Sequence, residues 1–184
     1  MNLKELREEL ARQVDDQDIA TKDANAWINA AYKDIASVNN SRWSWLEKGT
    51  EFTTTAGLEN YVVSVIAPDL KTVLGIVDSV TGSPLTWTAF DGSLYLNPVP
   101  SESRVLKLRY FGSITPLVSD TDVPLFDELF HEILVFGAKM RYVSNQDYSD
   151  QGSKVLAKSE YSNVLNTMQE WNQPSRVINV IKGR

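Results

Sequence analysis

The chain has one histidine, His131, and no cysteine, so any chemistry must be sought among carboxylates, hydroxyls and aromatic rings. His131 opens the run His131-Glu132-Ile133-Leu134-Val135, which lacks the second histidine that a zinc-protease helix presents one turn later. A lone histidine without a positioned partner reads as a surface or packing residue, because general acid–base work needs a second group to orient it. The missing cysteines exclude disulfides, zinc–thiolate sites and thiol nucleophiles together, and they suit a reducing compartment. The sequence also holds no phosphate-cradling glycine loop, no dinucleotide fingerprint and no Gly-x-Ser-x-Gly elbow. The expectation is no catalytic residue, no metal site and no cofactor.

Carboxylates are plentiful, 24 in all. Asp15, Asp16 and Asp18 alternate like calcium ligands but lack the loop's glycine and its closing glutamate. Asp120 with Asp122, and Asp147 with Asp150, sit where helices begin or end, so capping and dipole complementation are the readings to expect. A glycosidase pair is nominated by nothing in the spacing, since its two carboxyls need only be close in space. Among the aromatics, Trp43 and Trp45 stand out in Ser41-Arg42-Trp43-Ser44-Trp45-Leu46. One reading makes them a plug between helices and strands, because buried aromatics dominate core energetics. The other makes them anchors for a partner, since tryptophan and arginine are enriched at hot spots.

The bulk composition narrows the class further. Hydrophobic residues form 42% and charged residues 23% of 184, which is ordinary globular usage and one domain, or one domain with an insert. A net charge of −6 argues against general nucleic-acid binding, which needs a basic footprint. The opening MNLKELREEL is too charged for a signal peptide, and no apolar run approaches the ~20 residues of a membrane span. The expectation is synthesis in the cytoplasm and no membrane contact.

These residues must be held by elements whose periods are legible. Leu3, Leu6, Leu10 and Val14 repeat at helical spacing until the run at 15–18 breaks them. Thr21 is placed as the N-cap of a second helix, with Asp23 in its first turn and Ala24, Trp27, Ile28, Ala31, Ile35 and Val38 on one face. From residue 50 the period becomes two. Strands are expected over 51–55, 61–66, 72–80, 85–87, 94–96 and 104–111, separated by turn residues such as Asp91-Gly92, in an antiparallel meander. After Pro124 a helix is expected with Phe126, Leu129, Phe130, Ile133, Leu134, Gly137 and Met140 on a face wider than one neighbour requires. A last helix carries Ala157, Tyr161, Val164, Leu165, Met168 and Trp171 and stops at Gln173-Pro174. Beyond it lies the apolar pentad Val177-Ile178-Asn179-Val180-Ile181.

The pattern is an α+β fold, a four-helix bundle built from two N-terminal and two C-terminal helices, with an inserted antiparallel β subdomain and an extended C-terminal tail. Its expected parts are a helical pair over residues 1–42, the β subdomain over 43–118, the second helical pair over 119–173, and a docking tail over 174–184. Partner-binding roles are expected for Val177, Ile178, Val180 and Ile181 in the tail, for Trp43 and Trp45, and for Phe126 and Phe130 on the wide face.

Several stretches, in order, resemble the head-to-tail adaptor (connector) proteins of tailed bacteriophages. They are residues 27–35 (WINAAYKDI), the tryptophans at 43 and 45, residues 53–57 (TTTAG), 82–85 (GSPL), 94–100 (LYLNPVP), 108–111 (LRYF), 120–124 (DTDVP) and the helix from Phe126 to Tyr142. The ordered set spans roughly residues 1 to 170, and no single stretch is diagnostic. The resemblance implies a non-enzymatic virion protein of the neck, a homo-oligomer forming a dodecameric ring under the portal protein. Tail or nozzle proteins would attach below, and double-stranded DNA would pass through the lumen without sequence-specific binding. An acidic chain suits such a channel, since it repels phosphate where a basic wall would trap it. Competing expectations are a monomeric phage assembly or tail-completion factor, and a virion-borne wall hydrolase with a carboxylate pair in a cleft.

Overall fold

In the computed structural model, which describes residues 1–145 and 151–172, the first helix, α1 (Leu3–Val14), starts at Asn2. The Asn2 side chain accepts from the Glu5 N–H, and the Glu5 carboxylate accepts from the Asn2 N–H, which completes a capping box. Asp15, in left-handed backbone at φ 52°, ends the helix and returns its N–H to the Ala11 and Arg12 carbonyls. Then follow α2 (Thr21–Ser37), two short 3₁₀ turns (Val38–Ser41 and Ser44–Leu46), β1 (Glu47–Thr53), β2 (Asn60–Val62), a single turn α3 (Val63–Ile66), β3 (Leu70–Asp78), β4 (Thr86–Phe90), β5 (Ser93–Asn97), β6 (Val105–Gly112), a 3₁₀ turn (Glu128–Phe130), α4 (Glu132–Asn145) and α5 (Gln151–Trp171). N- and C-terminal helices thus flank an inserted antiparallel β region, as the sequence pattern requires. The chain falls into two units, Met1–Ser41 with Ile114–Gln173, and Arg42–Ser113.

In the helical unit, α4 is the shared neighbour of α1, α2 and α5. That explains its wide apolar face. Ile133, Leu134, Val135 and Ala138 are all fully buried, as are Leu3, Leu6 and Leu10 of α1 and Ile28, Ala31, Tyr32 and Ile35 of α2. Gly137 is where the backbones come closest. A Cβ added there would stand 2.6 Å from the Ala31 Cβ and 3.3 Å from the Tyr161 ring, well inside van der Waals contact. The close approach at Gly137 is therefore made within the chain.

Three local expectations are corrected. Thr21 is the first helical residue and not the cap; Ala20 holds the cap position with no side-chain bond, and its carbonyl takes the N–H groups of Asp23 and Ala24. The helix expected from Phe126 begins later, because the Asp127 carboxylate captures the Leu129 N–H and tightens a 3₁₀ turn before α4 starts at Glu132. The carboxylates of Asp120 and Asp122 cap no helix, although their main-chain carbonyls accept from the Lys4 and Leu3 N–H groups in the first turn of α1. Asp122 accepts from the N–H groups of Val118 and Ser119, which hold its carboxyl below the usual range, and Asp120 pairs with Arg7 at 2.7 Å. The segment carrying them is stapled to the bundle. Asn29 bonds both the N–H and the carbonyl of Leu117 at 2.8 Å, and the Tyr32 hydroxyl accepts from the Leu125 N–H.

The β unit is two three-stranded antiparallel sheets, ordered β1-β6-β3 and β2-β5-β4. A simple meander is not formed, and only β4 and β5 are chain neighbours paired as a hairpin. Its turn is Asp91-Gly92, both at positive φ (47° and 69°), the geometry that a tight two-residue hairpin demands. The most regular alternator, β6, takes the centre of the first sheet, where Leu106 and Leu108 are fully buried; full burial is worth ~1.5–3 kcal/mol for each such side chain. They share a core with Val73, Ile76 and Tyr110 of the same sheet and with Tyr61, Leu94 and Leu96 of the other. The strand expected over 61–66 is cut at Val62. There the Val63 N–H turns to the Gly92 carbonyl, and Ala67 closes a helical turn on Val63. β3 stops at Asp78, whose carboxylate takes the N–H groups of Val80 and Thr81.

Candidate functional site

His131 is the first group to test for chemistry, and its surroundings are structural. The side chain is buried beside the Phe126 ring. Its Nε2 lies 2.9 Å from the Phe126 carbonyl, so that nitrogen must donate, and Nδ1 is left to accept from the Met1 ammonium at 2.6 Å. The imidazole is therefore neutral. Burial lowers its pKa, the hydrogen bond to Phe126 opposes this, and the Met1 charge lowers it further. The unfolded chain then binds the proton more readily than the native one. Stability is complete above the ordinary histidine value of about 6.5 and is lost as pH falls through the lower native value. The expected outcome is a melting temperature that drops between pH 7 and pH 5, and His131→Gln should flatten that drop. A variant whose pH profile overlays the parent's would refute the assignment.

Among the described residues no three His, Asp or Glu side chains converge as metal ligands. Asp16 accepts from the Asp18 N–H and from the Tyr142 hydroxyl, which makes it a turn-former tied to α4. Asp147 and Asp150 lie outside the described residues. The β unit holds a cleft of about 540 Å³ lined by Asp78, Ser83, Asn97, Pro98, Pro100 and Arg104, among others. Asp78 faces Arg104 at 3.8 Å, and the N–H groups of Thr81 and Val80 hold its carboxyl below the usual range. It is a fixed anion there, and no second carboxylate lines the cleft as a glycosidase would need.

The residues expected to bind partners fall into three groups. Trp43 is fully buried, and its ring stacks on half-buried Trp45 with centroids 6.0 Å apart and 29° between planes. Phe126 and Phe130, 4% and 8% exposed, belong to the helical core; edge to face, Phe126 meets buried Tyr32 and Phe130 meets the exposed ring of Trp171. Val177, Ile178, Val180 and Ile181 lie outside the described residues. The apolar side chains that do reach solvent near the phenylalanines are their neighbours. Val118, Val123, Leu125 and Leu129 are all exposed, Leu129 at 71%. Helical periodicity placed Leu129 on the buried face, and the 3₁₀ turn swings it out.

The outer faces of the two sheets differ in kind. On the first, Lys107 and Arg109 stand opposite Glu51 and across from Glu47, with Arg109 and Glu47 3.7 Å apart. Cross-strand pairing of opposite charges neutralises this face. The second carries Asn60, Val62, Thr86, Thr88, Phe90, Ser93 and Tyr95 in register, and none of them is charged. Phe90 is 71% exposed at its rim. Neither face is the basic footprint that phosphate binding requires. Among the described residues no metal-ligating cluster is assembled, and several large apolar side chains stand exposed. A family model described as SU10 adaptor protein matches residues 1–180 of the chain. No curated protein matches it.

Proposed function

Because the chain belongs to the SU10 adaptor protein family, a structural phage adaptor family, we propose that it is a ring-forming subunit of the virion neck that joins the portal protein to tail components. The family match over nearly the whole chain carries this reading. The described residues support it by what they hold, which is two units with their own cores and apolar side chains kept at the surface. The subunits form a closed ring, dodecameric in this reading, through a heterologous interface in which two different surfaces of each copy match. Double-stranded DNA passes through the lumen, and an acidic chain, with 24 carboxylates against 18 lysines and arginines, lines it without holding phosphate.

One observation favours keeping the monomeric assembly factor as the rival. The wide face of α4 is filled by α1, α2 and α5 of the same chain, so that face supplies no ring contact. Electron microscopy of the purified protein, alone and mixed with its portal, separates the two readings. Rings are expected at least when the portal is present. A protein that stays monomeric and unbound in the mixture would overturn the proposal.

A further inference from the structure

A closed ring needs two complementary surfaces on each subunit, and the edge strands of the β unit differ in their fitness to be one of them. An edge strand presents unpaired N–H and carbonyl groups, and proteins usually guard it with charge, bulges, proline or short length. β1 is guarded by Glu47, Lys48 and Glu51. β2 is three residues long and runs straight into a helical turn. β3 is bulged twice along its pairing with β6, and its last residues are already taken, with Leu85 donating to Ile76 and Asp78 to the Ser83 carbonyl. β4 has none of these protections. Its five residues, Thr86-Trp87-Thr88-Ala89-Phe90, carry no charge, no proline and no bulge against β5. No named strand besides β5 pairs with it, and β3 meets only the residues that lead into it, through the Val77–Pro84 bridge and the Leu85 N–H bond to Ile76. Thr88, Ala89 and Phe90 are all exposed.

The same sequence holds a segment that matches this edge in length and chemistry. Residues 177–181 are five strand-forming positions, four of them valine or isoleucine, flanked by Arg176 and Lys182. We infer that β4 is the acceptor for residues 177–181 of a second copy of this chain, added as an antiparallel fourth strand of the sheet. Antiparallel pairing centred on the two strands sets Asn179 opposite Thr88. Ile178 and Val180 then fall beside Ala89 and Trp87, on the side where Trp87 packs against the core. Val177 and Ile181 fall beside Phe90 and Thr86 on the uncharged outer face, and Arg176 comes abreast of Asp91 in the hairpin turn. Main-chain hydrogen bonds hold the strand, alternate side chains fix its register, and the Arg176–Asp91 pair sets its direction. Donor and acceptor are different surfaces of one subunit, so the contact is head-to-tail and can close a ring. This inference rests on the ring-adaptor reading and names the contact that would build the ring.

Because the chain contains no cysteine, an introduced pair reports without background. Cα atoms of directly opposed antiparallel residues lie ~4.5–5.5 Å apart, within disulfide range. Thr88→Cys and Asn179→Cys, made separately and mixed, should give a covalent mixed dimer on mild oxidation. The double variant should give a ladder of multimers. The yield should exceed by at least tenfold that of Asn179→Cys mixed with Thr53→Cys on the guarded β1 edge. If Thr88→Cys alters melting, Thr86→Cys with Ile181→Cys reads the same register. Rings seen by microscopy with no cross-link above the β1 control would overturn this inference and leave the ring standing. A double variant that closes on itself as a monomer, with no mixed dimer, would mean the strand is added within one copy and would also overturn it. Absence of any self-association, with or without portal, would remove the ring reading and this contact with it.

Discussion

Trp43→Ala should destabilise the protein by about 3–5 kcal/mol, the cost of emptying a fully buried large aromatic site, and lower the melting temperature by roughly 6–20 °C. The ring has no solvent exposure and stacks on Trp45, so its removal loses burial, dispersion contacts and the aromatic pair together. Trp45→Ala should cost less, since that side chain is only half-buried. The comparison decides between the two roles open for this pair. A core tryptophan changes melting, while the folded fraction of the variant still joins its portal with parental affinity at a temperature well below the transition. An interface anchor does the reverse. If Trp43→Ala melts with the parent yet loses portal binding tenfold or more, the burial seen here is not what the residue is for. Melting should be followed by far-ultraviolet circular dichroism as well as fluorescence, because a chain with two cores need not unfold in one step.

The elements were legible where the local signal and the tertiary demand agree. Leu3, Leu6 and Leu10 repeat at helical spacing and all three are buried. The β6 alternation of Leu106, Leu108 and Tyr110 with Lys107 and Arg109 reports one buried face and one wet face correctly. Asp91-Gly92 marks its hairpin because few other residue pairs tolerate two positive φ angles. Failures came where a short side-chain bond beats a period. The carboxylate of Asp127 delays α4, and that of Asp78 cuts β3 short. Strand order was not legible, because alternation says which face is buried and nothing about which strand lies beside which. The same limit explains the wide face of α4. Its apolar width was visible, but three helices of the chain itself fill it, and a sequence does not say whether the neighbours that a face demands come from its own chain or another. The β4 edge was hidden for a related reason. Freedom from charge is visible in residues 86–90, yet being last in a sheet is a fact of topology.

Truncation after Gln173 should abolish assembly while leaving the subunit folded. The two described cores draw their buried residues from positions 3 to 168, so removing residues 174–184 takes away no side chain known to be packed in either. The melting temperature should stay within about 2 °C of the parent, the range of a change of ~0.5 kcal/mol in a chain of this size. Binding to the portal and ring formation should fall by at least tenfold, which is ~1.4 kcal/mol. Four valine and isoleucine side chains and a strand's worth of backbone bonds supply more than that in gross terms. Part is spent on ordering a segment that must adopt one conformation, at ~1–2 kcal/mol per residue. A single arm is therefore weak, and a ring makes it strong, because each subunit donates one strand and receives another, and closing the circle turns the last association into an intramolecular one. That predicts a further signature. Truncated subunits mixed into parental protein should poison assembly out of proportion to their number, since each offers an acceptor edge without a donor and interrupts the circle. Linear dilution of ring yield by truncated subunits would argue that the tail acts one subunit at a time, and lowered melting with assembly retained would place residues 174–184 in the subunit's own core.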